Sequence, residues 1–189
     1  MRKIDTQTWR SFKIDDLFVK LDLKCRKPDF NKMIDVSTEQ SEEFNLPLVN
    51  AKHFNNGIMY YGRASDFESA EMTIDIVKNG AIATGDVFAQ PQRTGVLWDA
   101  YLIKLRIPVK SRYILLFLST CLEKAIKGKF GYDDKCIWEK VRQLSFYLPA
   151  TAEGEPDYAC MERYMTTLEK NIKKSVDLLV LANRGGGVR

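Results

Sequence analysis

The most regular hydrophobic pattern lies near the C-terminal end, where apolar residues recur alternately four and three positions apart. This spacing keeps an apolar seam on the side of a helix that faces a partner helix. It predicts a long helix over residues 154–184, opened by Pro156 and ended by the glycines at 185–187. Such a helix either packs back on its own domain or pairs with another helix. The seam consists of Met161, Met165, Leu168, Ile172, Ser175, Leu179 and Ala182.

Earlier in the chain, short apolar runs alternate with polar turns, the pattern typical of β-strands. The Asn79-Gly80 pair predicts a tight primed turn that joins strand 73–77 to a second arm over 81–89, with a bulge at Gly85. One longer amphipathic segment predicts a helix from Ser111 to about Lys127. Further strands are predicted at 46–49, 58–61, 96–98, 101–105 and 144–148, and a short strand with a helical turn at 9–18.

These elements predict an α+β fold: a mixed, β-rich globular domain with packed helices, followed by a long C-terminal helix of the coiled-coil type. We expect the globular domain to occupy residues 1–153, the helix 154–184 and a flexible tail 185–189. With 189 residues, of which 45% are hydrophobic, the chain can bury a substantial core.

Charge and cysteine usage narrow the class of protein. The net charge of +4, from 29 basic and 25 acidic residues, is compatible with a nucleic-acid partner without requiring one. The four cysteines are far apart and there is a single histidine, so we expect reduced, mostly buried thiols, no metal and no cofactor. The basic residues 1–3 are followed by polar residues where a signal peptide would need an apolar run. The longest apolar run, 113–118, is too short to cross a membrane. We therefore expect a cytoplasmic protein.

Two polar loops, 50–57 and 90–95, combine amide and cationic side chains at predicted strand ends. We expect both loops to lie at the strand ends of one sheet and to converge on one face of the domain. Asparagine and glutamine can bond adenine in the major groove, arginine and lysine can bond guanine, and other cations can hold phosphates. The alternative is ordinary turn chemistry, which Asn-Asn-Gly also fits. The candidate DNA-contacting residues are Lys24, Arg26, Lys27, Lys52, His53, Asn55, Asn56, Arg63, Gln90, Gln92, Arg93, Lys127, Lys129 and Lys135.

Fingerprints of catalysis are absent from the sequence. It has no glycine-rich phosphate loop, no dinucleotide-binding glycine motif and no His-Glu-x-x-His. Residues 133–135, Asp-Asp-Lys, have the acid-x-lysine form of many metal-dependent nucleases, but no Pro-Asp lies on a nearby upstream strand. A binding module is favoured, and a small nuclease remains an alternative.

Several segments, in their order and spacing, resemble the specificity (S) subunits of type I and related type IIB restriction-modification systems. Segment 9–18 resembles the opening of a target-recognition domain, and segments 154–158 and 161–165 resemble the start of the helix that follows it. Between them, six further segments resemble the family in order: 46–49, 55–58, 79–82, 88–91, 130–132 and 148–149.

The resemblance implies a non-catalytic protein that binds double-stranded DNA and directs a methyltransferase subunit, and in some systems a restriction subunit, to its site. Family members usually carry two recognition domains and two helices, whereas this chain shows one of each. We therefore expect a homodimer through the helix, or a truncated product, and we keep a stand-alone nucleic-acid-binding regulator or restriction inhibitor as an alternative. The expected dimer contacts are Met161, Met165, Leu168, Ile172 and Leu179.

Overall fold

The structure is a computed structural model that describes residues 6–131 and 133–185, with the side chains of 182–185 excluded. Its strands are β1 (Trp9–Lys13), β2 (Phe18–Lys20), β3 (Val36–Ser37), β4 (Leu46–Val49), β5 (Ile58–Gly62), β6 (Thr73–Val77), β7 (Val87–Gln90), β8 (Gly95–Val96), β9 (Ala100–Leu105) and β10 (Ser145–Pro149). Its α-helices are α1 (Ile14–Leu17), α2 (Lys32–Asp35), α3 (Arg112–Ile126), α4 (Trp138–Val141) and α5 (Tyr158–Gly185), and a 3-10 turn spans Asn55–Gly57.

A four-stranded antiparallel sheet, in the order β2-β9-β6-β7, forms the centre of the domain. All five residues of β6 are buried, as expected for a strand covered on both faces. On one face, Ile74 and Ile76 belong to the main core together with Leu118 and Leu122 of α3. Because α3 covers this face, its C-terminal end is fixed beside β7.

A second four-stranded sheet has the order β3-β5-β4-β8, in which only the β4–β8 pairing is parallel. Its own core contains Leu46, Leu48 and Phe67. Val49 of β4 packs with Leu102 of β9, which joins the second sheet to the central one. The loop between β4 and β5 is thereby placed next to β7.

The ends of the domain are joined by a two-stranded antiparallel sheet of β1 and β10, in which Trp9 pairs with Pro149. Phe146 and Leu148 of β10 enter the main core. The chain then turns into α5, and Asp157 accepts a hydrogen bond from the Cys160 amide at 2.8 Å, as an N-cap residue does.

The first half of α5 packs on its own domain. Met161 is fully buried, the ring of Tyr164 lies 6.1 Å from that of Phe117, and Arg112 contacts Glu169 at 2.8 Å. From residue 171 to 181 every side chain is exposed. The alternative that the helix folds back on its domain is thus correct for its first half only. No helix in the described part of the chain is long and apolar enough to cross a membrane.

The β6–β7 hairpin forms, but the predicted turn is wrong. The second arm begins at Val87, not at 81, and the connection spans 78–86. The Asn79 backbone N–H and side chain bond to Asp99 at 3.2 and 3.3 Å, so a tertiary contact replaces the tight turn. Gly85 lies in the connection with φ +82° and its N–H bonds to the Val77 carbonyl, so it is no bulge within β7.

The cysteines are less buried than expected. Cys136 is buried, Cys121 and Cys160 are half-buried, and Cys25 is exposed; all four are free. Burial raises the pKa of the Cys121 thiol to about 11 and that of Cys136 to about 12. These two thiols are therefore protonated and unreactive at neutral pH.

Candidate nucleic-acid interface

The loop between β4 and β5 turns through three consecutive residues in the left-handed region. Asn55, Asn56 and Gly57 have φ of 57°, 53° and 76°, a conformation that asparagine and glycine tolerate better than other residues. The Asn55 amide donates to the Ile58 carbonyl at 3.1 Å. A Cβ at position 57 would lie 2.4 Å from Asp75 Oδ2, so only glycine fits there.

Gln90, at the end of β7, holds this loop in place. It is fully buried, and its Nε2 donates to the Asn56 carbonyl at 2.7 Å. Its Oε1 accepts from Asn56 Nδ2 at 3.2 Å and from Gln92 Nε2 at 2.9 Å. The two polar loops predicted to converge are therefore in contact. Gln90 joins them, which leaves Gln92 and Arg93 as the exposed members of the second loop.

Asp86, which the sequence analysis did not single out, connects a third segment to these loops. This aspartate is 1% exposed, and its Oδ2 lies 2.6 Å from His53 Nδ1. The Lys127 ammonium donates to Asp86 Oδ1 and, at 3.2 Å, to the Ile82 carbonyl. His53 and Lys127 remain 41% and 38% exposed. We call this surface the Asp86 edge: residues 52–57, 81–86, 90–93 and Lys127.

A second buried carboxyl lies beneath the Asp86 edge. Asp75, in the middle of β6, is fully buried, and neither of its carboxyl oxygens has a hydrogen-bond partner among the described residues. Burial, and then the nearby charge of Asp86, raises the pKa of Asp75 well above its ordinary value. The Asp75 carboxyl lies directly against the backbone of the loop at Gly57.

Four other candidate cations lie elsewhere: Lys27 and Arg63 contact Asp35, Arg26 lines the same groove as both, and Lys24 lies two residues before Arg26. Asp35 is 1% exposed and accepts from the Lys27 ammonium, from the Asn31 amide at 2.7 Å and from Arg63 at 3.4 Å. The hydrogen bond from Lys27, followed by that from Asn31, lowers the pKa of Asp35. We call Lys24, Arg26, Lys27, Asp35 and Arg63 the Asp35 cluster.

Much of the positive charge in the Asp35 cluster is neutralised. Arg63 Nε donates to Glu43 at 2.8 Å and its Nη1 lies 3.4 Å from Asp66. Lys24 pairs with Asp22 at 3.2 Å. Arg26 is exposed, and no ion pair of its guanidinium exists within the described residues.

Two of the remaining candidates, Lys129 and Lys135, are exposed but lie apart from these regions. Lys129 borders a surface groove with Lys124 and Tyr147. Lys135 follows Phe130 and Gly131 in the sequence. No side-chain contact in the described structure links Lys129 or Lys135 to the Asp86 edge or to the Asp35 cluster. Lys52 is half-buried and precedes His53 within the Asp86 edge.

The segment considered for nuclease chemistry has a different arrangement. Asp133 and Asp134 are exposed, and the Asp134 carboxylate is paired with Lys140. Across residues 6–131 and 133–185, no group of three or more histidine, cysteine or acidic side chains is placed to hold a metal ion.

Three solved structures share this fold. The S subunit of a type I restriction-modification system from M. genitalium matches 97% of this chain and 45% of its own length, with a TM-score of 0.54 and 16% identity. The HsdS subunit from Thermoanaerobacter tengcongensis matches 92% of this chain and 40% of its own, with a TM-score of 0.52 and 13% identity. A chain from a structure of the type I R-M system matches 97% of this chain and 43% of its own length, with a TM-score of 0.53 and 17% identity.

The chain belongs to the family of type I restriction modification DNA specificity domains, whose model matches residues 6–178. Among curated proteins, the type II restriction enzyme specificity subunit S.BcgI from Heyndrickxia coagulans is 24% identical over 173 residues, which cover 91% of this chain. The chain spans about half the length of this relative, 47%. The resemblance inferred from the sequence motifs is therefore confirmed.

Proposed function

We propose that this chain is a non-catalytic DNA-recognition subunit of a restriction-modification enzyme. In this proposal it recognises one half of a split DNA site and directs a methyltransferase to it. The observation that carries the proposal is the convergence of two amide-rich loops and Lys127 at the Asp86 edge, in a chain from a family of DNA specificity domains. Double-stranded DNA is the proposed ligand, and catalysis is left to the partner subunits.

The side chains of the Asp86 edge divide into two roles under this proposal. Lys52 and Arg93 face the DNA, and Arg93 has only a 3.4 Å contact to Ser69 to hold it. Asn56, Gln90 and Gln92 act as supports, because the side-chain amide nitrogen of each is bonded within the protein. Base contacts determine which sequence is chosen, and the supports hold them in place.

Phosphate contacts are assigned to cations outside the Asp86 edge. Arg26 is the best-placed member of the Asp35 cluster, since its guanidinium has no carboxylate partner among the described residues. Lys129 and Lys135 are exposed and equally available. Such contacts strengthen binding to any DNA and weaken as salt rises.

The exposed half of α5 supports self-association. Ile172 and Leu179 lie on the predicted seam and are 55% and 65% exposed. Leaving a large apolar side chain in water forgoes about 1.5–3 kcal/mol that burial would contribute. Two chains joined here would have about the length of one relative. We propose a twofold homodimer through 168–181, with 1–153 as the recognition domain. Two of the expected dimer contacts are not part of it, because Met161 is buried in the core of its own domain and Met165 packs against that core.

A second partner is proposed for the opposite side of α5. At 3.6 residues per turn, Leu181 lies about 180° and Leu178 about 120° from Ile172 around the helix. Both are exposed, at 64% and 58%. One partner helix on the seam would leave them uncovered, and a helix that is apolar on several sides is normally buried on several sides. We assign this surface to the methyltransferase subunit.

A selection from random-sequence duplex DNA tests the proposal. The purified full-length chain should enrich a split palindrome, with two half-motifs in inverted orientation at a fixed spacing, because a twofold dimer presents two identical interfaces. The double variant Ile172→Glu/Leu179→Glu should enrich a single half-motif and sediment as a monomer. Lys170→Glu, on the other side of the helix, should behave as wild type.

The outcomes separate the two parts of the proposal. Enrichment of no sequence by the folded wild-type chain would contradict DNA recognition. A single half-motif from a wild-type chain that sediments as a monomer would contradict the homodimer and leave recognition intact.

A further inference from the structure

Two large apolar side chains are exposed at the tips of the Asp86 edge. Phe54 and Ile82 are each 73% exposed. The ring of Phe54 lies 4.6 Å from that of His53, which bonds Asp86. Lys127 donates to both the Ile82 carbonyl and Asp86. The same aspartate therefore fixes both tips on one side of the domain.

Packing within the chain does not explain this exposure. Trp98, another exposed aromatic residue, is 50% exposed and packs edge-on against Phe30. Ile82 belongs to none of the hydrophobic clusters of the described structure, and neither does Phe54. Leaving two such side chains in water is unfavourable unless a ligand covers them.

The neighbours of Phe54 and Ile82 indicate which ligand covers them. Lys52 and His53 precede Phe54, Asn55 follows it, and Lys127 bonds the backbone of Ile82. An apolar tip surrounded by cations and amides is complementary to an anionic surface that also presents small apolar groups. In the major groove of DNA, thymine is the base that offers such a group, its 5-methyl.

We infer that Phe54 and Ile82 contact the 5-methyl groups of thymines in the recognised sequence. This inference rests on the proposed function, because it requires the Asp86 edge to face the major groove. The polar side chains of the edge then discriminate bases by hydrogen bonds, and the two apolar tips add a preference that hydrogen bonds alone do not supply.

The test compares two versions of the selected duplex, one with thymine and one with deoxyuridine at every thymine position. Deoxyuridine keeps each hydrogen-bonding group and lacks only the methyl. Wild-type protein should bind the thymine duplex more tightly, by about fourfold for each methyl it covers. Phe54→Ala and Ile82→Ala should each lose part of this preference, and the double variant should bind both duplexes equally.

Two further variants act as controls. Met33→Ala removes a side chain that is 86% exposed on α2, next to the Asp35 cluster, and should keep the full thymine preference. Phe54→Leu keeps an apolar tip and should retain most of it. Thermal unfolding of each variant checks that the domain is intact.

Equal binding of both duplexes by the wild-type chain, together with a clear selected motif, would overturn the inference and leave the proposed function standing. Phe54→Ala and Ile82→Ala variants that keep the thymine preference, but lose association with another protein, would also overturn it. If no motif is selected at all, the proposed function fails and the inference fails with it.

Discussion

The Asp86 edge and the Asp35 cluster share one arrangement, an aspartate that is 1% exposed and contacts two basic side chains. Asp86 holds His53 and Lys127, and Asp35 holds Lys27 and Arg63. The two regions differ in what else surrounds these basic side chains. At Asp35, Arg63 also pairs with Glu43 and Asp66. Around Asp86 the carboxyls of Asp75 and Glu123 are accompanied by amides and by two large exposed apolar side chains.

This difference shows that counting cations does not locate an interface. Arg63 contacts Glu43, Asp35 and Asp66, so its charge is already compensated within the protein. Lysine and arginine content alone would rank the Asp35 cluster first. The composition around Asp86, with hydrogen-bonding groups, cations and apolar tips together, is the one that sequence-specific binding requires.

The largest expected effect comes from breaking the Asp86 edge at its centre. Asp86→Ala should lower the free energy of unfolding by about 2–3 kcal/mol, because it removes the partner of both His53 and Lys127. The value is below that of a fully buried pair, since the side chains of His53 and Lys127 are both partly exposed. Urea unfolding measures it.

Asp134→Ala is the matched control, because Asp134 also pairs with a lysine, Lys140, but is 58% exposed. It should change the free energy of unfolding by less than about 0.5 kcal/mol. Equal effects of the Asp86 and Asp134 substitutions would show that the Asp86 pairs do not hold the edge together.

A smaller effect for each pH unit is expected from titrating the carboxyls beneath the two regions, whose contributions to stability should respond to pH in opposite directions. The pKa of Asp75 is raised well above 3.8 by burial. The folded chain then holds a proton that the unfolded chain releases, so stability falls as the pH rises from about 4 toward the folded pKa. Asp75→Asn should remove this loss, roughly 1.4 kcal/mol for each pH unit in that window.

Asp35 should show the opposite behaviour, because the Lys27 hydrogen bond lowers its pKa below 3.8. Its contribution to stability is present above pH about 4 and is lost as the pH falls through the folded pKa. Asp35→Asn should therefore be less stable than wild type at pH 7 and approach it in acid. Thermal unfolding of the two variants from pH 3 to pH 8 measures both trends, and parallel curves would contradict the contrast.

The sequence correctly predicted the elements whose structure follows from the hydrophobic pattern within the segment itself. The strands at 46–49 and 58–61 and the helix from 112 were found within a residue or two, because period-2 and period-3.6 patterns record which face is buried. The convergence of the two polar loops was also expected, but they belong to two different sheets and not to one. Whether those loops bind DNA stays a prediction.

The features that were missed depend on residues far apart in the sequence. Gln90 was expected at a loop surface and is fully buried, since its partner Asn56 is 34 positions away. Asp86 is 33 positions from His53 and 41 from Lys127. A turn signal such as Asn79-Gly80 is likewise local and cannot reveal Asp99 as a competing partner. A heptad seam also does not specify whether its partner is its own domain or a second chain.

The central claim is that the Asp86 edge chooses the DNA sequence and the Asp35 cluster does not. The most direct measurement repeats the random-duplex selection with Arg93→Ala and Arg26→Ala, one exposed arginine from each region. Arg93→Ala should cost about 1 kcal/mol on the selected site, little on random DNA, and should relax the motif at one or two positions. Arg26→Ala should weaken specific and random binding alike, flatten the salt slope by about one unit and return the wild-type motif. An unchanged motif from Arg93→Ala, or an altered one from Arg26→Ala, would contradict the account.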